Sequence, residues 1–229
     1  MSTIAARLQA VRARIRAAEA ASGRPPDVVR LIAVSKTFAA SAVREACQAG
    51  QHAFGENYLQ EALSKIEALP GLPLEWHFIG PIQSNKARPV AQHFAWVHTV
   101  DRLKLAERLS AARPDGLPPL QVCIQVNVSG ERTKSGCDPD SLEELALAVA
   151  NLPRLQLRGL MAIPEPTSDL DLQRQRFGLL RHLKDQLVSS GLSLDALSMG
   201  MSDDLEQAIA EGATMVRVGR AIFGQRQAR

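Results

Sequence analysis

A lysine that directly follows a buried strand is a candidate for covalent chemistry. Lys36 comes after the apolar run LIAVS (31–35), where a buried strand is expected to emerge into a loop. Partial burial lowers the pKa of a lysine, and the free amine can then condense with an aldehyde. The alternative is a lysine whose head group extends from the strand end into water. Lys36 alone leaves both interpretations open.

A second group of residues, near the end of the chain, has the types expected of an anion site. Ser202 precedes a predicted helix, so its hydroxyl and the following backbone N–H groups can face a strand end. Gly219 permits close backbone approach, and the N–H groups of Gly219 and Arg220 can meet phosphate oxygens. Each residue alone is typical of a helix cap or a turn, but together they favour phosphate. Asp203 and Asp204 would repel a phosphate, so we expect both to face solvent.

Short apolar runs alternate with helical stretches along most of the chain. The runs predict strands over 31–35, 52–55, 75–80, 96–100, 120–128, 155–161, 194–200 and 215–219. The stretches between them predict helices over 41–49, 56–68, 85–93, 103–112, 141–151, 170–189 and 203–211. A competing open, doubly wound sheet normally has fewer strands and a glycine-rich first turn, which is absent here. The predicted fold is α/β, a single (β/α)8 TIM-type barrel spanning 1–229.

The first 22 residues are predicted to form an extra helix that packs on the barrel. They are rich in arginine, which is also typical of a transit peptide. Apolar residues recur at helical spacing, however, and such a stripe favours docking on the domain. The stripe consists of Ile4, Leu8, Val11, Ile15 and Ala18.

Composition and charge exclude several classes of function. The net charge of +3 arises mostly from scattered arginines, and a single tyrosine leaves few stacking platforms, so nucleic-acid binding is not expected. The three cysteines lack C-x-x-C spacing, which indicates reduced thiols in the cytoplasm. No apolar stretch reaches membrane-spanning length, and the first residues lack the pattern of a secretory signal, so we expect none. We expect a soluble cytoplasmic protein, and nothing in the sequence demands more than a monomer.

The candidate residues fall at one end of the predicted barrel. In this fold the functional groups lie on loops after the carboxyl ends of the strands. Lys36 follows the first strand, whereas Ser202 and Gly219 follow the seventh and the eighth. A Schiff-base lysine together with a phosphate site across one barrel mouth indicates pyridoxal 5′-phosphate (PLP) as the ligand.

Six segments of the sequence resemble the YggS/PROSC pyridoxal phosphate homeostasis family. They are LIAVSKT (31–37), FGENYLQE (54–61), WHFIGPIQSNK (76–86), QVNVSGERTKSG (125–136), GLMAIP (159–164) and SMGMSDDLEQAIAEGATMVRVGRAIFG (198–224). The resemblance covers essentially the whole chain. It implies a barrel similar to the N-terminal domain of alanine racemase standing alone, which binds PLP without established turnover.

The resemblance also implies roles for individual residues. Lys36 matches the lysine that forms the internal aldimine with PLP. The phosphate cradle matches Ser202, Gly219 and the backbone of Arg220. Many relatives have a small residue at position 220, so the Arg220 side chain either adds charge near the phosphate or turns outward.

Three further positions match residues around the PLP ring. Arg217 matches the arginine that faces the pyridine nitrogen in racemase-like barrels, and Asn57 and His77 match residues that line the cofactor. From the sequence alone, Arg217 could instead pair with a surface carboxylate at its strand end.

Arg217 also bears on whether the protein is an enzyme. An arginine beside the pyridine nitrogen repels a protonated ring, and a neutral ring is a poor electron sink. Two-base racemisation also needs an acid or base opposite Lys36, which racemases take from a second domain that we expect this chain to lack. Tyr58, the only tyrosine, is more typical of a packing or helix-start residue. We expect a PLP carrier without significant turnover, whose recipients include apo forms of PLP-dependent enzymes.

Other functions remain open at this point. One is a weak racemase or another PLP enzyme. A second is a cofactor-free Schiff-base aldolase, although such enzymes usually carry their lysine late in the barrel, where strand six here ends in Met161. A third is a metal hydrolase using His52, His77 and His98, which lack H-x-H pairing and a carboxylate partner, so we expect no metal. Lys134, in the loop after strand five, is either a solvated lysine or part of a lid for PLP capture.

Overall fold

Eight parallel strands close a barrel in the computed structural model, which describes residues 3–130 and 135–225. The strands pair in chain order, and the last pairs with the first through Ala33 and Val218. They are β1 (Arg30–Val34), β2 (Ala53–Glu56), β3 (Glu75–Phe78), β4 (Trp96–Val100), β5 (Leu120–Gln125), β6 (Leu155–Met161), β7 (Ala196–Ser198) and β8 (Met215–Val218). The predicted (β/α)8 barrel is confirmed.

Helices lie between consecutive strands and cover the outside of the barrel. They are α1 (Ile4–Ala21), α2 (Ala40–Gln48), α3 (Leu59–Ala68), α4 (Ala87–His93), α5 (Leu103–Ala112), α6 (Leu142–Ala150), α7 (Leu170–Ser189), α8 (Leu205–Ala210) and α9 (Arg220–Phe223). Helix α1 precedes the barrel and buries the whole predicted apolar stripe. Over the described parts of the chain, every helix is too short or too polar to cross a bilayer.

The barrel interior consists of an apolar layer and a polar layer. Side chains at alternate strand positions point to the same face, and interior positions therefore recur every second residue. The apolar layer includes Trp96, Ala196 and Met215. Two residues further along the same strands come His98, Ser198 and Arg217, which form the polar layer and are all buried. The polar layer lies nearer the carboxyl ends of the strands, where the candidate site was predicted.

Several predicted element boundaries were wrong, each for a local reason. Strand β5 ends at Gln125 instead of 128, because the backbone of 126–127 pairs with Cys137. Residue Glu56 belongs to β2 and not to the following helix, since its side chain is buried against Ser35. Helix α8 begins at Leu205 instead of 203, after a turn.

Candidate functional site

Lys36 lies in the turn after β1, at the carboxyl-end mouth of the barrel. The side chain is half-buried, and the preceding Ser35 is fully buried. Gly219, directly after β8, packs against the last residue of β1: a Cβ atom added there would lie 3.1 Å from the carbonyl oxygen of Val34. The lysine and the predicted phosphate loop therefore follow neighbouring strands at one mouth.

Two charged side chains hold the backbone on both sides of Lys36. On the preceding side, Lys65 Nζ donates to the carbonyl oxygen of Ser35 at 2.6 Å. On the following side, the N–H of Thr37 donates to Glu61 Oε1 at 2.6 Å. Thr37 has a φ of 69°, a left-handed conformation that costs a non-glycine residue on the order of 1 kcal/mol. The contacts with Lys65 and Glu61 stabilise a turn that the sequence of the turn disfavours.

Lys65 and Glu61 also form an ionic cluster with Glu56, in which Glu56 and Lys65 are buried and Glu61 is half-buried. Lys65 Nζ also donates to Glu56 Oε1 at 2.7 Å and to Glu61 Oε1 at 2.6 Å. Ser35 Oγ donates to Glu56 Oε1 at 2.6 Å. Burial raises the pKa of the Glu56 carboxyl, and the nearby Lys65 ammonium opposes that rise. We did not predict this cluster from the sequence. Two signals were available: Glu61 and Lys65 are four residues apart, which favours an ion pair on a helix, and Lys65 shares a helix face with the apolar residue Ala62.

Asn57 lies directly after β2 at the same mouth. The residue is half-buried, and its side-chain oxygen Oδ1 is buried without a hydrogen-bond partner among the described residues. Gly80, after β3, packs so closely that an added Cβ atom would lie 2.3 Å from the carbonyl oxygen of Asn57. A buried amide oxygen without a partner is costly, so this position suits a ligand that donates a hydrogen bond.

Arg217 is buried in the polar layer below the mouth. Its Nη1 donates to Ser198 Oγ at 2.7 Å, and its Nη2 donates to the carbonyl oxygen of Ala162 at 2.8 Å. Burial lowers the pKa of the guanidinium to about 10, so the side chain still carries a positive charge at neutral pH. The alternative of a strand-end arginine paired with a surface carboxylate was wrong.

His77 is also fully buried, and the protein engages both of its ring nitrogens. Nδ1 lies 2.9 Å from His98 Nε2, and Nε2 lies 2.7 Å from Glu75 Oε1. Glu75 is at the start of β3, so the His77 ring extends toward the amino ends of the strands. His52, by contrast, is exposed, and residues 3–130 and 135–225 contain no group of three or more metal-binding side chains arranged around one point.

The loop after β7 differs in part from our prediction. Ser202 is half-buried in the turn before α8, and its carbonyl oxygen accepts from Arg14 Nη2 at 3.1 Å. The expectation that Asp204 faces solvent was wrong: it is half-buried, and its Oδ1 accepts from the N–H of Met201 at 2.5 Å. Burial raises the pKa of the Asp204 carboxyl. The Asp204 carboxylate therefore accepts a hydrogen bond within its own turn.

The loop after β8 provides the start of helix α9. Gly219 occupies the N-cap position, and Arg220 is the first helical residue. The Arg220 side chain turns outward and pairs with exposed Asp203 at 2.8 Å. Only its backbone therefore remains at the mouth. Lys134, the candidate lid residue, lies outside the described residues.

The sequence and the fold are both similar to known proteins. A profile of the family described as "Alanine racemase, N-terminal domain" matches residues 6–227. A "Pyridoxal phosphate homeostasis protein" of Pseudomonas aeruginosa is 64% identical over 226 residues, which cover 99% of this chain and 97% of the relative. A protein of the same name from Escherichia coli K12 is 54% identical over 233 residues, covering 99% of this chain and 98% of the relative.

A solved structure also matches almost the whole chain. It is PipY of Synechococcus elongatus PCC7942 with PLP bound, with a TM-score of 0.86 and 41% sequence identity. The match covers 97% of this chain and 100% of PipY.

Proposed function

The chain belongs to the alanine racemase N-terminal domain family, and from that premise we propose that it binds PLP through a reversible Schiff base on Lys36. In this proposal the protein buffers PLP in the cytoplasm and delivers it to apo forms of PLP-dependent enzymes, without significant turnover. Residues 1–229 act as one PLP-binding unit. The main support is that a half-buried lysine and a glycine-led helix start follow adjacent strands at one mouth, directly above a buried arginine.

The surroundings of Lys36 support a covalent role. A lysine that must meet an aldehyde carbon benefits from a fixed backbone, because misplacement of a reacting group is costly. That fixation comes from the hydrogen bond that Lys65 donates to the Ser35 carbonyl oxygen and from the one that the N–H of Thr37 donates to Glu61. Lys65, although buried nearby, is committed to three hydrogen-bond acceptors and is a poor candidate for the same chemistry.

The residues of the mouth also fit the rest of the cofactor. The backbone at Gly219 and Arg220, with Ser202 from the neighbouring loop, would hold the phosphate at the start of α9. Asn57 would offer its unpartnered Oδ1 to a donor group of the ligand. His77 lies beneath the mouth, and since its ring nitrogens are both engaged, any contact with PLP would be through ring carbons.

Arg217 supports a carrier over an enzyme. PLP supplies an electrophilic aldehyde and an electron-accepting ring when bound, and ring protonation strengthens the second property. Arg217 offers only donors and a positive charge, so it disfavours protonation of a nitrogen placed beside it. The names of the relatives, which describe homeostasis and no reaction, are consistent with this interpretation.

The covalent role of Lys36 can be tested with absorbance spectra. Wild-type protein incubated with PLP should show the visible band of a pyridoxal Schiff base, and borohydride should bleach it irreversibly. Lys36→Ala should lack the protein-bound band. Lys86→Ala removes an exposed lysine after β3 and should behave as wild type. A full band in Lys36→Ala would contradict the assignment.

A weak racemase is the alternative, and turnover separates the two. PLP-loaded protein should racemise alanine, serine or threonine no faster than free PLP at the same concentration. A protein-dependent rate that disappears in Lys36→Ala would favour the enzyme.

A further inference from the structure

A continuous chain of hydrogen bonds runs through the barrel interior from Arg217 to the opposite mouth. Arg217 Nη1 lies 2.7 Å from Ser198 Oγ, which lies 2.8 Å from His98 Nδ1. His98 Nε2 lies 2.9 Å from His77 Nδ1, and His77 Nε2 lies 2.7 Å from Glu75 Oε1. The four inner residues are completely or almost completely buried, whereas Glu75 reaches the amino-end mouth with a side chain 34% exposed.

When both histidines are neutral, the two ends of this hydrogen-bond chain fix the direction of every hydrogen bond within it. A guanidinium only donates, and a carboxylate only accepts. His77 must therefore donate from Nε2 to Glu75, and as a neutral ring it accepts at Nδ1 from His98 Nε2. His98 in turn accepts at Nδ1 from the hydroxyl of Ser198, which itself accepts from Arg217. The geometry thus requires the Nε2–H form of both histidines.

Burial favours the neutral form of both histidines, which this arrangement requires. It lowers the pKa of His77, an effect that the adjacent Glu75 opposes. It lowers the pKa of His98 well below the ordinary value, and the positive charge of Arg217 adds to this effect. Trp96 stacks on His77 with ring centroids 5.5 Å apart and excludes water from one face of the pair.

The Glu75 end of the hydrogen-bond chain lies at a charged cavity. This cavity, of about 520 Å³ at the amino-end mouth, contains two ion pairs. Arg30 pairs with Glu75 at 2.7 Å, and Arg158 Nε donates to Asp195 Oδ1 at 2.8 Å. Glu75 therefore connects the surface of one mouth with the interior of the barrel, whereas Asp195 belongs to the same mouth without touching the chain.

We propose that Ser198, His98, His77 and Glu75 are positioning residues that hold the Arg217 guanidinium and couple it to the charge of the amino-end mouth. A ligand or partner that changes the pairing of Glu75 with Arg30 would then change the electrostatic effect of Arg217 on the group that it faces. The expected effect on a PLP ring rests on the function proposed above. The hydrogen-bond chain itself is present in the protein without a ligand.

Other charged groups also surround the two ends of the chain. Those that act on Glu75, the histidines or Arg217 are Arg30 from β1, Cys123 from β5, Arg158 from β6 and Asp204 before α8. Asp195, before β7, acts on Arg158. A test must therefore separate the effect of the hydrogen-bond chain from that of charge acting through space.

The first test needs no cofactor. Long-range ¹⁵N–¹H NMR spectra of ligand-free protein distinguish the two neutral forms of a histidine and the imidazolium. We expect His77 and His98 to be neutral Nε2–H rings at pH 7, with His52→Gln, His93→Gln and His182→Gln spectra used for assignment of the three exposed rings. An Nδ1–H ring or an imidazolium at either position would overturn the proposal.

The second test compares matched variants loaded with PLP. Ser198→Ala interrupts the chain, and Ser110→Ala removes another buried serine hydroxyl, which donates to the Pro153 carbonyl oxygen. Glu75→Gln removes the terminal charge, and Asp195→Asn removes an equal charge from the same mouth. The readout is the apparent pKa at which the visible band of bound PLP titrates.

We expect Ser198→Ala and Glu75→Gln to lower that apparent pKa by about 0.5 unit or more, because Arg217 then exerts its positive charge more fully. Ser110→Ala and Asp195→Asn should shift it by less than about 0.2 unit. Equal shifts in Glu75→Gln and Asp195→Asn, or no shift in Ser198→Ala, would contradict the coupling. If Glu75→Gln fails to fold, Ser198→Ala decides. Failure of PLP to bind Lys36 would refute the proposed function and leave the NMR result intact.

Discussion

The two halves of the carboxyl-end mouth hold their backbones by different means. In the lysine half, the turn 35–37 is held by the buried side chains of Glu56 and Lys65 and the half-buried side chain of Glu61. In the other half, which carries the proposed phosphate site (the phosphate half), the loops 201–204 and 219–220 are held by backbone turns and half-exposed side chains such as Arg14 and Asp204. The lysine half depends on side-chain identity, and the phosphate half depends on backbone shape.

This difference predicts different sensitivity to substitution. Removing one partner of a buried ionic cluster leaves the other charges without compensation and is strongly destabilising. Exposed ion pairs contribute little, because water and salt screen them and their long side chains lose freedom on pairing. Four substitutions test this contrast, in order of decreasing expected effect.

Lys65→Met should have the largest effect. The variant leaves buried Glu56 and half-buried Glu61 without their cation and removes the donor to the Ser35 carbonyl oxygen. We expect the free energy of unfolding to fall by about 3–5 kcal/mol, measured by urea denaturation. Lys104→Met, at an exposed position of α5, should change it by less than about 0.5 kcal/mol. Similar losses in both variants would remove the distinction between the two halves.

Glu61→Gln should act on PLP retention more than on the fold. The amide can still accept from the N–H of Thr37, but it offers no charge to Lys65. A looser turn around Lys36 should weaken PLP binding about tenfold, measured by dialysis against limiting PLP. Glu206→Gln removes a charge that pairs with Arg14 on the phosphate side, and its binding should stay within about twofold. A larger loss of PLP binding in Glu206→Gln than in Glu61→Gln would contradict the contrast between the two halves.

Asp204→Asn should produce a smaller effect that depends on pH. Burial raises the pKa of Asp204 in the folded protein, so its contribution to stability is present at low pH and is lost as pH rises through that pKa. Asparagine keeps an acceptor for the N–H of Met201 and does not ionise. The stability of the variant relative to wild type should therefore increase as pH rises from about 3 to about 7 in denaturation series. A relative stability that falls over this range would mean that the carboxylate is favoured in the folded state.

Arg220→Ala should have the smallest effect. Its side chain pairs only with exposed Asp203 in the described structure, and the backbone contribution to the mouth is unchanged. PLP retention and the free energy of unfolding should match wild type within about 0.5 kcal/mol. A tenfold loss of PLP would show that the side chain reaches the phosphate.

The sequence predicted the barrel, and it predicted that the candidate residues would meet at one of its mouths. Apolar runs with regular spacing indicated the strands, and the position of Lys36 after the first run followed directly from them. The ionic cluster could not be predicted, because Ser35, Glu56 and Lys65 come from three elements whose approach depends on tertiary packing. The same reason applies to Ser198, which carries no signal of its own along the sequence.

Two local expectations failed because polar side chains were assumed to face water. Glu56 was assigned to a helix start, yet it ends β2 with its side chain inside the protein. Asp204 was expected to face solvent, yet its side chain accepts a hydrogen bond from the N–H of Met201 in the same loop. The spacing of apolar residues predicts which apolar side chains are buried. It does not predict the burial of a polar side chain whose hydrogen-bond partner comes from another part of the fold.

Peptide mapping by mass spectrometry after borohydride reduction of PLP-loaded protein tests the covalent role of Lys36 most directly. We predict one stoichiometric pyridoxyl adduct, located on the peptide that contains Lys36. An adduct on Lys65 or on another lysine, or bound PLP that yields no adduct at all, would contradict the account.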